Sequence, residues 1–86
     1  MADITVIPTS EITSHIAATT LWFFGFRTPA AYKPSDWREG LIRLISMSDE
    51  ENQGKLATVY PGEVAAVALA KTFLGGMDEL GRIAAP

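Results

Sequence analysis

The stretch PGEVAAVALAKTFLGG, residues 61–76, decides how the rest of the chain is arranged. Pro61 suits the first turn of a helix, where its missing N–H leaves no bond unmade, and Gly75 and Gly76 suit the end of one, so a helix over residues 61–74 is expected. On a helical projection Leu69, Phe73, Ala66, Ala70, Leu74 and Val67 fill an arc of about 160°, and Lys71 and Thr72 interrupt the remainder. A helix with so little polar side must be covered on most sides, by other helices of the chain, by a second subunit, or by both.

Upstream of Pro61 the spacing predicts two more helices. Ser48 and Glu51 stand at capping-box distance, so one helix spans residues 49–60. Its acidic opening, Asp49, Glu50 and Glu51, complements the helix dipole, and Leu56, Val59 and Tyr60 form its apolar side. Ser35, after Pro34, reads as the N-cap of an amphipathic helix over residues 36–47. Trp37, Leu41, Leu44 and Ile45 make a stripe about 100° wide on it. Gly40 lies outside that stripe; it either lets a neighbouring backbone come close or costs about 1 kcal/mol relative to Ala.

Earlier still, residues 26–33 carry Pro29 and read as a connection that folds the chain back. A helix over residues 10–24 is capped by Thr9 or Ser10 and bears Ile12, Ile16, Thr19 and Phe23 on one face. Trp22 falls on the face that carries Glu11 and His15, and Leu21 and Phe24 also lie off the stripe. A strand over residues 19–26 competes with this reading, because Thr and aromatic residues favour strands. Residues 1–8 form an extended arm, and residues 77–85 a last short helical turn in which Leu80 and Ile83 fold onto the body. The expected architecture is all-α, a single domain of four main helices with that arm and that turn.

Composition narrows the function. With 86 residues the chain is one domain, and 48% apolar residues argue against disorder. Seven cations are spread singly through a chain of net charge −3, so no basic track awaits nucleic acid. The helix at residues 49–60 would be a poor recognition helix, since it opens on three acids. Cysteine is absent, which removes disulfides and thiolate metal sites. The first ten residues lack the basic and apolar regions of a signal peptide, and the apolar run at residues 16–26 is too short for a bilayer. A cytoplasmic protein that binds neither membrane nor nucleic acid is expected.

Catalytic constellations are missing from the pattern. The single histidine, His15, has Glu11 one turn before it, a spacing that a solvated surface pair explains. One imidazole and scattered carboxylates do not build a zinc site, and residues 49–51 lack the alternation of a calcium loop. Neither glycine-rich nucleotide motif occurs. The reading is therefore no enzyme, no catalytic residue, no metal and no cofactor.

What remains is aromatic surface. Trp22, Phe23, Phe24 and Phe26 fall within five residues, and a helix can turn only one or two of them into its own core. Exposed aromatic clusters mark interfaces. Leu21, Trp22, Phe24, Phe26, Tyr32 and Phe73 are the expected protein-binding residues; cover from Tyr32, Trp37 and the C-terminal tail within one subunit is the alternative.

Residues 36–71 resemble short accessory proteins encoded by phages of actinobacteria, through the Trp-Arg-x-Gly-Leu helix, the acidic helix after it, and the aromatic-Pro-Gly-x-Val-Ala-Ala-Val junction at residues 60–67. The resemblance implies a viral protein made in the host cytoplasm and carries over no catalytic residue. Some proteins of that class bind a host protein and slow growth, whereas others are minor virion or assembly components. The leading expectation is a non-enzymatic protein-binding module that forms a homodimer, binds a host protein, or does both. A connector-type virion component is the alternative, and a DNA-binding regulator a weaker one.

Overall fold

The computed structural model describes residues 9–72 and 75–85. Among the described residues a 3₁₀ turn, Thr9–Glu11, precedes five α-helices: α1 Ser14–Phe23, α2 Asp36–Met47, α3 Glu50–Ala57, α4 Pro61–Ala70 and α5 Gly76–Ala84. The described residues contain no strand, and the fold they form is all-helical. The arm expected at residues 1–8 lies outside the described residues, as do Phe73 and Leu74.

Helix α4 sits at the centre and touches the 3₁₀ turn and each of the other four helices. Six consecutive residues, Gly62 through Val67, are buried, as an apolar helix with no polar side requires. Ala65 and Ala66 enter one hydrophobic cluster with Ile12, Ala17, Leu21 and Leu80. Val64 and Val67 enter a second with Leu41, Ile42 and Ile45. Among the described residues, the cover that α4 needs comes from its own chain. Lys71 and Thr72, the interruptions of the apolar stretch, fall beyond its end, and Lys71 Nζ reaches back to the Ser46 carbonyl near the end of α2.

Capping explains most of the boundaries and corrects three. Ser35 accepts from the Arg38 N–H at 3.2 Å and starts α2 where its spacing indicates. Helix α3 is capped by Asp49, which accepts from the Asn52 N–H at 2.8 Å, and not by Ser48; it ends at Ala57, short of residue 60. The cap of α1 is Thr13, which accepts from the Ile16 N–H at 3.1 Å, so the helix begins later than Thr9 or Ser10 would place it. Thr9–Glu11 is a separate turn whose Glu11 carbonyl rests against Gly62, and α4 holds it off the axis of α1. The third correction is the tail. Gly75, at φ +82°, does not simply stop α4; it launches α5, a nine-residue helix whose Leu80 is fully buried.

Helix, not strand, is the state of Thr19–Phe23. The buried hydroxyls of Thr19 and Thr20 donate to the His15 and Ile16 carbonyls at 2.9 and 2.7 Å, so neither is left unpaired in an apolar setting. Five consecutive residues of α1, Ala17 through Leu21, are buried. One side faces α4 and α5, and the connection after α1 runs back along another, with the Tyr32 N–H donating to the Ala18 carbonyl at 3.1 Å.

Candidate functional site

The aromatic cluster at the end of α1 is more covered than its composition suggests. Trp22 is half-buried beneath Arg27, whose guanidinium carbon lies 4.0 Å from the ring centroid while Nη1 donates to the Trp22 carbonyl at 2.6 Å. Phe23 packs onto the second hydrophobic cluster with Arg43 5.5 Å above its ring, and Phe24 meets it edge-on at 5.0 Å. Leu21 corrects the expectation outright. At 1% exposure it is a core residue, packed with Leu80 of α5, and it presents no surface to a partner. Phe26 and Tyr32 are exposed, with the Tyr32 ring 5.6 Å from that of His15. Glu11 belongs to the 3₁₀ turn and not to the helix of His15, so the two are not neighbours on one helical face. Phe73 lies outside the described residues.

The larger apolar surface is on α2. Trp37 is 62% exposed, Leu44 49% and Met47 74%, and Gly40, also exposed, stands among them. Their spacing of three, four and three residues places all four within an arc of about 80° on one face. The opposite face carries Leu41, Ile42 and Ile45 into the core. The expected stripe of Trp37, Leu41, Leu44 and Ile45 is thus corrected: the helix is rotated so that Ile42 points inward and Trp37 and Leu44 point outward.

A polar contact accompanies that rotation. Arg38, on the inward side, donates from Nη1 to Glu63 Oε2 at 3.1 Å. Glu63 is a buried residue in the first turn of α4, where a carboxylate also complements the helix dipole. Turning Trp37 and Leu44 inward would carry Arg38 away and strand that carboxylate. At the other end of α2, Gln53 donates from Nε2 to the Ile45 and Ser48 carbonyls at 3.2 Å each, closing its last turn.

The patch continues beyond α2. The Trp37 ring meets Tyr60 edge-on at 6.0 Å, and Val59, expected on the buried side of its helix, is exposed. Along the other margin Glu39 and Arg43 pair at 3.1 Å beside the exposed Asp36, giving a polar rim. A Trp and a Met framed by polar residues match the composition of protein interfaces. Sequence reasoning missed this face, although a signal existed: α2 carries apolar residues at 41, 42 and 45 and again at 37, 44 and 47, which is more than one core-facing stripe can use.

Elsewhere, a shallow depression is lined by Phe26, Ala70, Thr72, Gly75, Met77 and Asp78, with a single carboxylate. Among the described residues no three His, Asp or Glu side chains gather, no helix is long and apolar enough to cross a membrane, and no buried side-chain polar atom lacks a hydrogen bond. Comparisons of the chain with protein-family models, with curated proteins and with solved structures gave no match.

Proposed function

We propose that this chain is a non-enzymatic protein-binding module that holds another polypeptide on the outer face of α2. The single observation that supports the reading is the row Trp37, Gly40, Leu44 and Met47, turned to solvent while the rest of the same helix is packed in the core. Covering the exposed parts of these side chains would recover about 25 cal/mol per Å² of apolar surface. The resemblance of residues 36–71 to actinobacterial phage accessory proteins supplies the setting: a viral protein in the host cytoplasm whose partner is a host protein, a second copy of itself, or both.

The α1 aromatic cluster is the secondary surface in this reading. Arg27 over Trp22 and Arg43 over Phe23 give those rings intramolecular cover that Trp37, Leu44 and Met47 lack.

Capture from a bacterial lysate, run alongside the oligomeric state of the pure protein, tests the proposal. Wild-type chain and the variant Leu44→Asp, whose side chain lies on the surface, are compared. Loss of the captured protein or of self-association in the variant is the expected result. A pure chain that is monomeric, and a variant that retains the same proteins as wild type, would together remove the reading.

A further inference from the structure

We infer that the occupant of the α2 face is a second copy of this chain, docked antiparallel about a two-fold axis level with Ile42. This rests on the protein-binding reading of α2 and names its partner. A two-fold pair must be self-complementary, because the same surface meets itself with its direction reversed. The exposed row meets that condition. Trp37 and Met47 lie five residues either side of Ile42, and Gly40 and Leu44 two either side. Reversal therefore sets Trp37 of one copy against Met47 of the other at both ends, and Leu44 against Gly40 at the two central positions.

The sizes agree with that register. A large side chain meets a hole at the centre, since an added Cβ at Gly40 would touch nothing within 4 Å of its own chain, leaving open the space a leucine needs. Nothing inside the subunit calls for glycine at this position. It has no positive φ and sits in the middle of a helix, where glycine is unfavourable relative to Ala. Close approach of a second backbone gives it a use, at an interaxial distance near the lower end of about 8–10 Å. At the ends, a thioether against an indole is a favourable pair.

Charge does not oppose the docking. The margin that would run alongside its own copy carries the exposed Asp36 beside the Glu39–Arg43 pair, and the two-fold sets the two Asp36 side chains at opposite ends of the contact, six residues either side of its axis. A specific pair needs about 1,000 Å² of buried surface in all, so the row of α2 requires its flanks, Val59 and Tyr60, in the contact. A contact confined to one helix face and its flanks is a reversible association, not an obligate dimer.

Sedimentation equilibrium of the full chain from about 1 to 200 µM is the test, with Gly40→Gln as the decisive variant. Gln replaces Gly on an open, exposed helical position, so the subunit keeps its helix content and unfolds at the same or higher denaturant concentration. Its side chain fills the space reserved for Leu44 of the other copy. Wild type is expected to dimerise and Gly40→Gln to lose at least tenfold in affinity. The register is read by mixing Gly40→Cys and Leu44→Cys chains under oxidation, feasible because the chain has no cysteine of its own. Disulfides between the two variants should outnumber those within either. A wild-type monomer at the top concentration overturns the inference, as does a dimer indifferent to Gly40→Gln or a preference for like-with-like disulfides. If the pure chain is monomeric yet lysate capture still depends on Leu44, this inference fails alone; if capture is also indifferent to Leu44, the protein-binding reading fails with it.

Discussion

Arg38 Nη1 and Glu63 Oε2 meet at 3.1 Å across the seam between α2 and α4, twenty-five residues apart in sequence. Both side chains are mostly removed from water, so the contact fixes the rotation of α2 and with it the residues left outside.

Breaking that pair should destabilise the fold more than a surface ion pair would. Glu63→Ala leaves Arg38 half-buried without its acceptor, and a loss of about 1.5–3 kcal/mol is expected from chemical unfolding. Arg38→Ala should cost a similar amount, and the double variant less than the sum. Strict additivity would mean that the contact does not hold the seam.

Leu21 and Trp37 should exchange the roles that their sequence context suggests. Leu21→Ala removes side-chain volume from a cluster that joins α1, α4 and α5 and should cost about 2–5 kcal/mol. Trp37→Ala, losing mainly its edge contact with Tyr60, should cost about 0.5–1.5 kcal/mol at concentrations where the chain is monomeric. The reverse order of denaturation midpoints would place the core elsewhere.

Glycine replacements separate a packed position from an open one. A Cβ on Gly62 would strike the Glu11 carbonyl and the Ile16 side chain, and the backbone oxygen cannot retreat without moving the 3₁₀ turn. Gly62→Ala should therefore lower stability by about 1–3 kcal/mol, despite alanine's better helix propensity. Gly40→Ala should raise the stability of the isolated subunit by about 0.5–1 kcal/mol. Opposite signs in the same denaturant series are the signature sought.

At the surface of α5, the hydrogen bond from Arg82 holds the Glu79 carboxyl below its usual 4.5, and the guanidinium charge acts in the same direction. A depressed carboxyl stabilises the fold above its unfolded pKa, and the contribution disappears as pH falls through the lower folded value. Carboxyl titration by NMR should show a Glu79 midpoint below 4.5 that rises in Arg82→Ala. A midpoint that ignores the substitution would mean the pair does not persist in solution.

Reading the chain without coordinates succeeds where the cause is local. Ser35 caps α2, Pro61 opens α4, and the unbroken apolar run from Val64 makes α4 the helix that the others surround. It fails where two positions far apart decide together. Leu21 looks peripheral because its partner Leu80 lies on α5, a stretch that reads as no more than a turn. Trp37 looks inward because a stripe that instead buries an arginine is implausible until its carboxylate is found. Trp22 looks bare because the covering cation, Arg27, lies beyond the end of its helix.

The amino-acid order alone determined that this chain is helical, where two of its helices, α2 and α4, start, and that residues 61–70 must be enclosed, because caps, proline and apolar periodicity act over a few residues of backbone. Only the tertiary structure decided which side of α2 faces water, because a helix with two apolar stripes has two comparable rotations. The Arg38–Glu63 contact, formed when α4 docks, selects one of them and leaves Trp37, Leu44 and Met47 outside.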